Sequence, residues 1–478
     1  MSASSPPAQG QANSSHPTEN RQQSDNVIVA YYAKKVTDVN SLEEISENMN
    51  QLPQLVSGML SDDPSVQFDC TIKVREILSK EKKPPLEAVV AIENGAVIPT
   101  LVAFLDRAEN PILQFEACWA LTNIAVGASE FVDRIVQHGA IPRLVALVSN
   151  RDANIAEQAV WALGNIAAAS LQLRDLVLKA GVAAPLFALI RHSCHMGVMR
   201  TAVWALSNLC RKKPPPRLEL LPGVVELLLI LLYVRDEQTL SDTCYTLFFL
   251  ADSVNQFLRT GFVERVVQLL LFQNSAVVLP ALRLIGQILA GDNQVTQLVL
   301  DTNVLVHLPA LLQGNHEDIQ AYACLAISNI TAGTTEQIEA VFAANLVPLI
   351  LNLLRNGAPN TRKEAAWALA NACAGGSATQ LDQLIEAGVF LPLCDMLSCT
   401  SANLVRTILI AVNRMLSVPA AAVSRDLLTQ LKANNYHIAV TGLTRHSTDG
   451  VSEMATQLAR LHLKNNDPVE SPAPPQPQ

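Results

Sequence analysis

All four tryptophans of this chain stand four residues before an asparagine: Trp119 before Asn123, Trp161 before Asn165, Trp204 before Asn208 and Trp367 before Asn371. Four residues is a little over one helical turn, so each indole and its carboxamide would leave a helix on one face. A carboxamide offers both a donor and an acceptor, so a ladder of them can clamp an extended peptide main chain whatever its sequence. Slots between successive indoles suit the aliphatic stems of Lys and Arg, and each ring face attracts the cationic head by roughly 0.5 to 2 kcal/mol. Glu116, Gln158, Asp242 and Glu364 stand one turn earlier on the same face, where carboxylates select positive charge.

A plainer account of the same stripe makes the rings core residues and the asparagines caps or bridges between units. Asparagine in a helix interior is disfavoured by up to about 0.7 kcal/mol relative to alanine, so its recurrence at one position calls for a shared partner. A neighbouring repeat and a bound peptide both remain open as that partner.

The elements that would position the stripe are read from its spacing. Residues 119 and 161 are 42 apart, 161 and 204 are 43 apart, and 204 and 367 are 163 apart, close to four more periods. A repeat of ~40 residues lies in the range of helical armadillo and HEAT solenoids. A second marker keeps the same step: Gly95, Gly139, Gly181, Gly223, Gly261, Asn303, Asn345 and Gly388. Gly and Asn best tolerate the left-handed backbone at a helix end, and Pro99, Pro142, Pro185, Pro348 and Pro392 follow closely, as suits the first turn of a new helix. Each unit reads as a short helix, a sharp turn and two longer helices, the third carrying the Trp–Asn phrase.

Counted down from the marker, the tryptophan column reads Trp119, Trp161, Trp204, Tyr245, Arg283, Leu325, Trp367 and Ile410. The asparagine column reads Asn123, Asn165, Asn208, Phe249, Gln287, Asn329, Asn371 and Arg414. Two patches result, three intact repeats and then Asn329 with Trp367 and Asn371. Self-similarity predicts an all-α array of about ten repeats over 51–463, each burying its apolar faces on its neighbours. The segments 1–50 and 464–478, rich in Ser, Gln, Pro and Asn, read as disordered tails.

A 49% hydrophobic, 5% aromatic composition fits helices packed on several sides. The net charge of −9 favours a basic partner and opposes direct nucleic-acid binding. Leu220 to Val234 is short and carries Glu226, so it reads as a core helix and membrane insertion is not expected. The polar amino terminus has no apolar signal-peptide core. Nine cysteines without a paired CxxC point to a reducing compartment, with Cys118, Cys210, Cys244, Cys324 and Cys373 as small buried side chains. His192-Ser-Cys-His195 resembles half of a metal site with no other half, and no nucleophile–base–acid set or phosphate loop converges anywhere. The expectation is therefore no metal, no cofactor and no enzyme.

The phrases QFEACWALTNIA from Gln114, EQAVWALGNIA from Glu157 and KEAAWALANACAGG from Lys363, with Leu-Pro-Gln-Leu-Val from Leu52 and Ser-Asp-Asp-Pro from Ser61, make the chain resemble importin-alpha over nearly the whole array. The resemblance implies a right-handed superhelical armadillo-repeat solenoid of three-helix repeats, a nuclear import adaptor found in cytoplasm and nucleus, and extended Lys/Arg-rich nuclear localisation signals as ligands. By position, Trp119, Asn123, Gly127 (through its carbonyl), Gln158, Trp161, Asn165, Trp204, Asn208 and Asp242 would form the major peptide site. Asn329, Glu364, Trp367 and Asn371 would form the minor site, with Arg283 and Thr296 on its flank. Arg211, in the run Arg211-Lys212-Lys213, sits where the family places a basic residue between the sites.

The departures are specific. Where the family's lysine pocket has an aspartate and a threonine, this chain has Ala169 and Val132; Leu325, Gln287 and Asn293 replace a tryptophan, an asparagine and a usually acidic residue of the minor site. The family's basic amino-terminal segment recruits importin-beta and folds back as a pseudo-ligand. Before Asn50 only Arg21, Lys34 and Lys35 are basic, against Glu19, Asp25, Asp38, Glu43, Glu44 and Glu47. Autoinhibition and the usual importin-beta contact are therefore expected to be absent or to rest on another region. An export receptor and nucleoporins are further partners that the resemblance allows. The tenth repeat, around Val440 to Leu463, leaves the pattern in the carboxy-terminal repeats that the family's export partner grips. The alternative function is an armadillo-repeat scaffold, or an importin-alpha-like protein that has lost standard import-carrier function.

Overall fold

The eight Gly and Asn markers all carry positive φ, from 53° at Asn345 to 84° at Gly181, and Asn435 adds a ninth at 62°. The computed structural model describes residues 42–80, 84–254 and 261–463. Expectations about residues 1–41 and 464–478 lie outside the described residues. Among the described residues every regular element is helical, with no strand.

The chain divides into two units, Met1–Val234 and Arg235–Gln478. In the first, the long third helices of successive repeats are α1 (Pro64–Lys80), α2 (Pro111–Ile124), α3 (Ala153–Ala169) and α4 (Met196–Arg211), each packed on the next. In the second they are α5 (Glu237–Val254), α6 (Ser275–Leu289), α7 (Glu317–Thr331), α8 (Pro359–Gly375), α9 (Ala402–Leu416) and α10 (Asp449–Leu458), again stacked in order. Helix Leu42–Met59 precedes α1, and a π-helical turn, Ala459–Leu463, follows α10.

One repeat shows why the sequence folds this way. The nine-residue helix Ser129–Gln137 ends at Gly139, whose left-handed backbone turns the chain into the eight-residue helix Ala140–Leu147. Asp152 then accepts from the Asn154 amide and starts α3, with 17 residues. The second helix is thus as short as the first, and only the third is long: the polar stretch Ser149–Asp152 ends one element and caps the next. Similar side-chain caps open α2 (Asn110), α6 (Asn274) and α9 (Ser401).

Apolar residues of each third helix fill the core between repeats. Leu121, Ile124, Ile155 and Ile166 are fully buried, each stabilising by about 1.5 to 3 kcal/mol relative to an exposed side chain. The Leu220–Val234 stretch is broken by Gly223, with φ 79°, into a 3-10 turn and the helix Val224–Leu231. No single described helix is long and apolar enough to cross a membrane. Cys118, Cys210, Cys244, Cys324 and Cys373 are buried free thiols, and burial pushes their pKa up and holds them protonated. Cys194 of the His–Ser–Cys–His run is exposed between helices, and no group of three or more metal-ligating side chains occurs among the described residues.

Candidate peptide groove

In the first unit, helix geometry sets each Trp and Asn of α2 and α3 on one face, and the neighbouring helices set their partners. Asn165 donates from Nδ2 to the main-chain oxygen of Thr122, 3.1 Å away on the preceding third helix. Thr122 in turn donates from Oγ1 to the Cys118 oxygen at 2.8 Å and more weakly to that of Gln158 at 3.4 Å. The bridge uses one of the amide's two N–H groups and fixes its plane, leaving Oδ1 and the second N–H for another partner. Asn123 has no such bridge: its Nδ2 is buried without a partner, as is Gln158 Oε1.

Trp119 and Trp161 are half-buried. Trp204 differs from the expectation of an open ring, being only 6% exposed, and Asn208 is 3% exposed. The cause is Gly164, the glycine of the second Trp–Asn phrase. A Cβ there would lie 2.6 Å from Trp204 Cζ3, so the missing side chain lets the indole lie down on α3. At Gly286, the equivalent position of α6, a Cβ would stand 3.8 Å from Leu325 Cδ2, an ordinary van der Waals contact, so Leu325 lies less closely on its glycine than Trp204 does.

One participant was not visible in the sequence pattern. Arg75 of α1 stacks its guanidinium over Trp119, 4.3 Å from the ring centroid, and its Nε donates to Glu116 Oε2 at 2.6 Å. Phe115 meets the same indole edge-on at 5.7 Å. The Trp column begins one repeat after Arg75, so the periodic pattern gave no signal there.

The second unit repeats the ladder. Asn329 donates to the Gly286 oxygen at 2.9 Å and Asn371 to the Ser328 oxygen at 3.0 Å. In each bridge, including that of Asn165, the acceptor precedes the preceding repeat's own column residue, Asn123, Gln287 or Asn329. At the last column position Arg414 takes over: its guanidinium donates to the oxygens of Cys373, Ala374 and Gly376 at 2.7 to 2.9 Å, closing the carboxy-terminal end of α8.

Glu364 lies one turn from Trp367, 8% exposed, with Oε2 buried and unpartnered. Burial pushes its carboxyl up to about 7, opposed by Lys363. Arg283 lies among three aromatic rings, 5.6 Å from Tyr245, 5.1 Å from Phe248 and 5.0 Å from Tyr322, and its Nε is buried without a partner. Thr296 and Asp242 are 2% and 3% exposed, and Asp242 accepts from Gln238 Nε2 at 3.0 Å. Trp367, Asn329 and Asn371 are half-buried; Gly127, in the first unit, is half-exposed just past the end of α2. Of the departures, Val132 is buried, Ala169 is exposed at the end of α3, and Leu325 and Gln287 are half-buried.

The armadillo/beta-catenin-like repeat model matches residues 96–126, 129–168, 292–332 and 334–374. Importin subunit alpha-4 of Arabidopsis thaliana is 40% identical over 382 residues, covering 79% of this chain and 70% of that protein. The chain belongs to the importin-alpha family. Importin subunit alpha-1b of Oryza sativa subsp. japonica is 41% identical over 79% of this chain and 71% of that protein, and importin subunit alpha-B of Dictyostelium discoideum is 43% identical over 52% and 49%. The crystal structure of an engineered protein matches the fold with a TM-score of 0.75 at 26% identity, covering 86% of this chain and 98% of that one. Membership of the importin-alpha family gives the chain the general role of a nuclear import adaptor built on an all-α armadillo array, a scaffold for binding and not for catalysis.

Proposed function

We propose that this adaptor binds extended Lys/Arg-rich localisation signals along the Trp/Asn face of its third helices, with the major-site residues of the first unit on α2–α4 and, in the second unit, Asp242 on α5 and the minor site on α7 and α8 flanked by Arg283 and Thr296. The observation that carries the reading is a set of buried, unpartnered polar atoms: Asn123 Nδ2, Gln158 Oε1, Arg283 Nε and Glu364 Oε2. Each lies in the Trp column, in the Asn column or one turn before the Trp column. Leaving such groups unpaired costs about 1 to 3 kcal/mol each, which a bound peptide's main chain and ammonium groups would recover. Residues 1–50 themselves have too few basic side chains to act as a pseudo-ligand. Shuttling between cytoplasm and nucleus, and recruitment of importin-beta through some other surface, follow as parts of the same proposal.

Equilibrium titration with a labelled lysine-rich peptide tests it: affinity falls as salt is raised and falls about tenfold or more in Trp161→Ala. Salt-insensitive or absent binding contradicts it. A second reading, an armadillo scaffold, is favoured by the inter-repeat bridges of Asn165, Asn329 and Asn371 and by the burial of Trp204, and predicts partner binding indifferent to the column.

A further inference from the structure

The first indole of the column is already engaged on one face. Helix α2 packs between α1 and α3, so Arg75, from α1, covers the side of Trp119 turned away from Trp161. The Arg75 and Glu116 side chains are 11% and 9% exposed, so the pair is held in place and screened from water. Arg75 Nε is spent on Glu116, and Nη2 is 3.9 Å from Glu76 Oε1, beyond hydrogen-bonding reach. A guanidinium has five donors in a planar fork, and among the described residues only Nε makes a hydrogen bond here.

We propose that Arg75 sets the register and charge of the bound peptide at the Trp119 end of the groove: it fills the place a ligand cation would take beyond Trp119 and offers its remaining donors to an acidic residue flanking the basic run. The inference deepens the peptide-binding reading and rests on it. Lysine or arginine stacked between Trp119 and Trp161 meets an open ring face. One residue further, a cation meets Arg75 and a Glu116 already ion-paired to it, whereas a carboxylate meets the Nη donors, which make no hydrogen bond among the described residues, in a poorly solvated site. The preferred ligand is therefore a basic cluster bounded on one side by Asp or Glu, not an indefinitely basic tail.

The test uses the full chain and fluorescein-labelled peptides with one fixed Lys/Arg core and Glu, Ala or Lys at positions on either flank. On one flank the wild-type chain should bind Glu about tenfold tighter than Lys. Arg75→Gln frees both Trp119's outer face and the Glu116 carboxylate, so the order should invert to favour Lys on that flank alone. Arg75→Lys keeps the charge but loses the planar stack, and should shrink the Glu preference without inverting it; this second variant decides the matter if thermal melting shows the glutamine variant to be misfolded. Core binding with no flank preference, or the same preference in wild type and Arg75→Gln, overturns the role of Arg75 alone. Failure of every peptide to bind, including the core, overturns the peptide-binding reading and this inference with it.

Discussion

Asn371 donates its carboxamide N–H to the main-chain oxygen of Ser328, across the seam between two repeats. The same oxygen already accepts from the Ala332 amide at 3.1 Å and from Thr331 Oγ1 at 3.1 Å. Removing the asparagine therefore leaves no orphaned acceptor. Asn371→Ala should change stability by less than about 1 kcal/mol in urea unfolding, since a lost hydrogen bond and a gained helix propensity nearly offset. Affinity for a basic peptide should still fall about tenfold. A large stability loss with unchanged affinity would assign the asparagine to the scaffold.

Gly164→Ala places a methyl 2.6 Å from Trp204 Cζ3. Alanine is the better helix former by about 1 kcal/mol, but overpacking a sealed ring costs typically 1 to 3 kcal/mol. The expected net result is a loss of stability with a red shift in tryptophan emission as Trp204 is lifted from α3. A gain in melting temperature with unchanged emission would contradict the packing described.

The turns were legible because nothing but Gly or Asn accepts their backbone at low cost, and all eight marked positions have positive φ. The column was legible because Trp and Asn recur at a fixed step. What the pattern could not show were contacts made by residues that do not recur. Arg75 lies before the first Trp, Arg414 stands alone at an asparagine position, and the Tyr245, Phe248 and Tyr322 cage needs rings from two helices around Arg283. Trp204 had the same phrase as its neighbours, yet one glycine on the adjacent helix decided its burial.

Peptide binding at the second patch should depend on pH through Glu364. Its carboxyl, pushed up to about 7, must ionise to meet a cation, so peptide affinity there should rise by up to about tenfold between pH 6 and 8. Folding stability runs oppositely. The folded carboxyl keeps its proton above the ordinary value of 4.5, so its contribution is fully present below about 4.5 and is lost as pH rises through about 7. Glu364→Gln should flatten both profiles, measured by fluorescence titration and by urea melts across pH. Unchanged pH dependence in that variant would remove Glu364 from the site.

Ala169 is exposed at the end of α3, where the resemblance to importin-alpha implies an aspartate. Ala169→Asp adds a carboxylate to the proposed cation-binding face. A charge-assisted hydrogen bond of roughly 1.5 to 3 kcal/mol predicts at least tenfold tighter binding of a lysine-centred peptide and little change for one with alanine at the centre. Equal effects on both peptides would show a general charge effect in place of a pocket.

The central claim, that one column of indoles and carboxamides holds an extended basic chain, is tested most directly by a crystal structure of the protein with a lysine-rich peptide. The account predicts a peptide main chain within about 3.2 Å of the Asn165 carboxamide in the first unit, with lysine stems against Trp119 or Trp161, or of the Asn371 carboxamide in the second, with a stem against Trp367. A peptide bound to another face, with those amides touching only their neighbouring repeats, would contradict it.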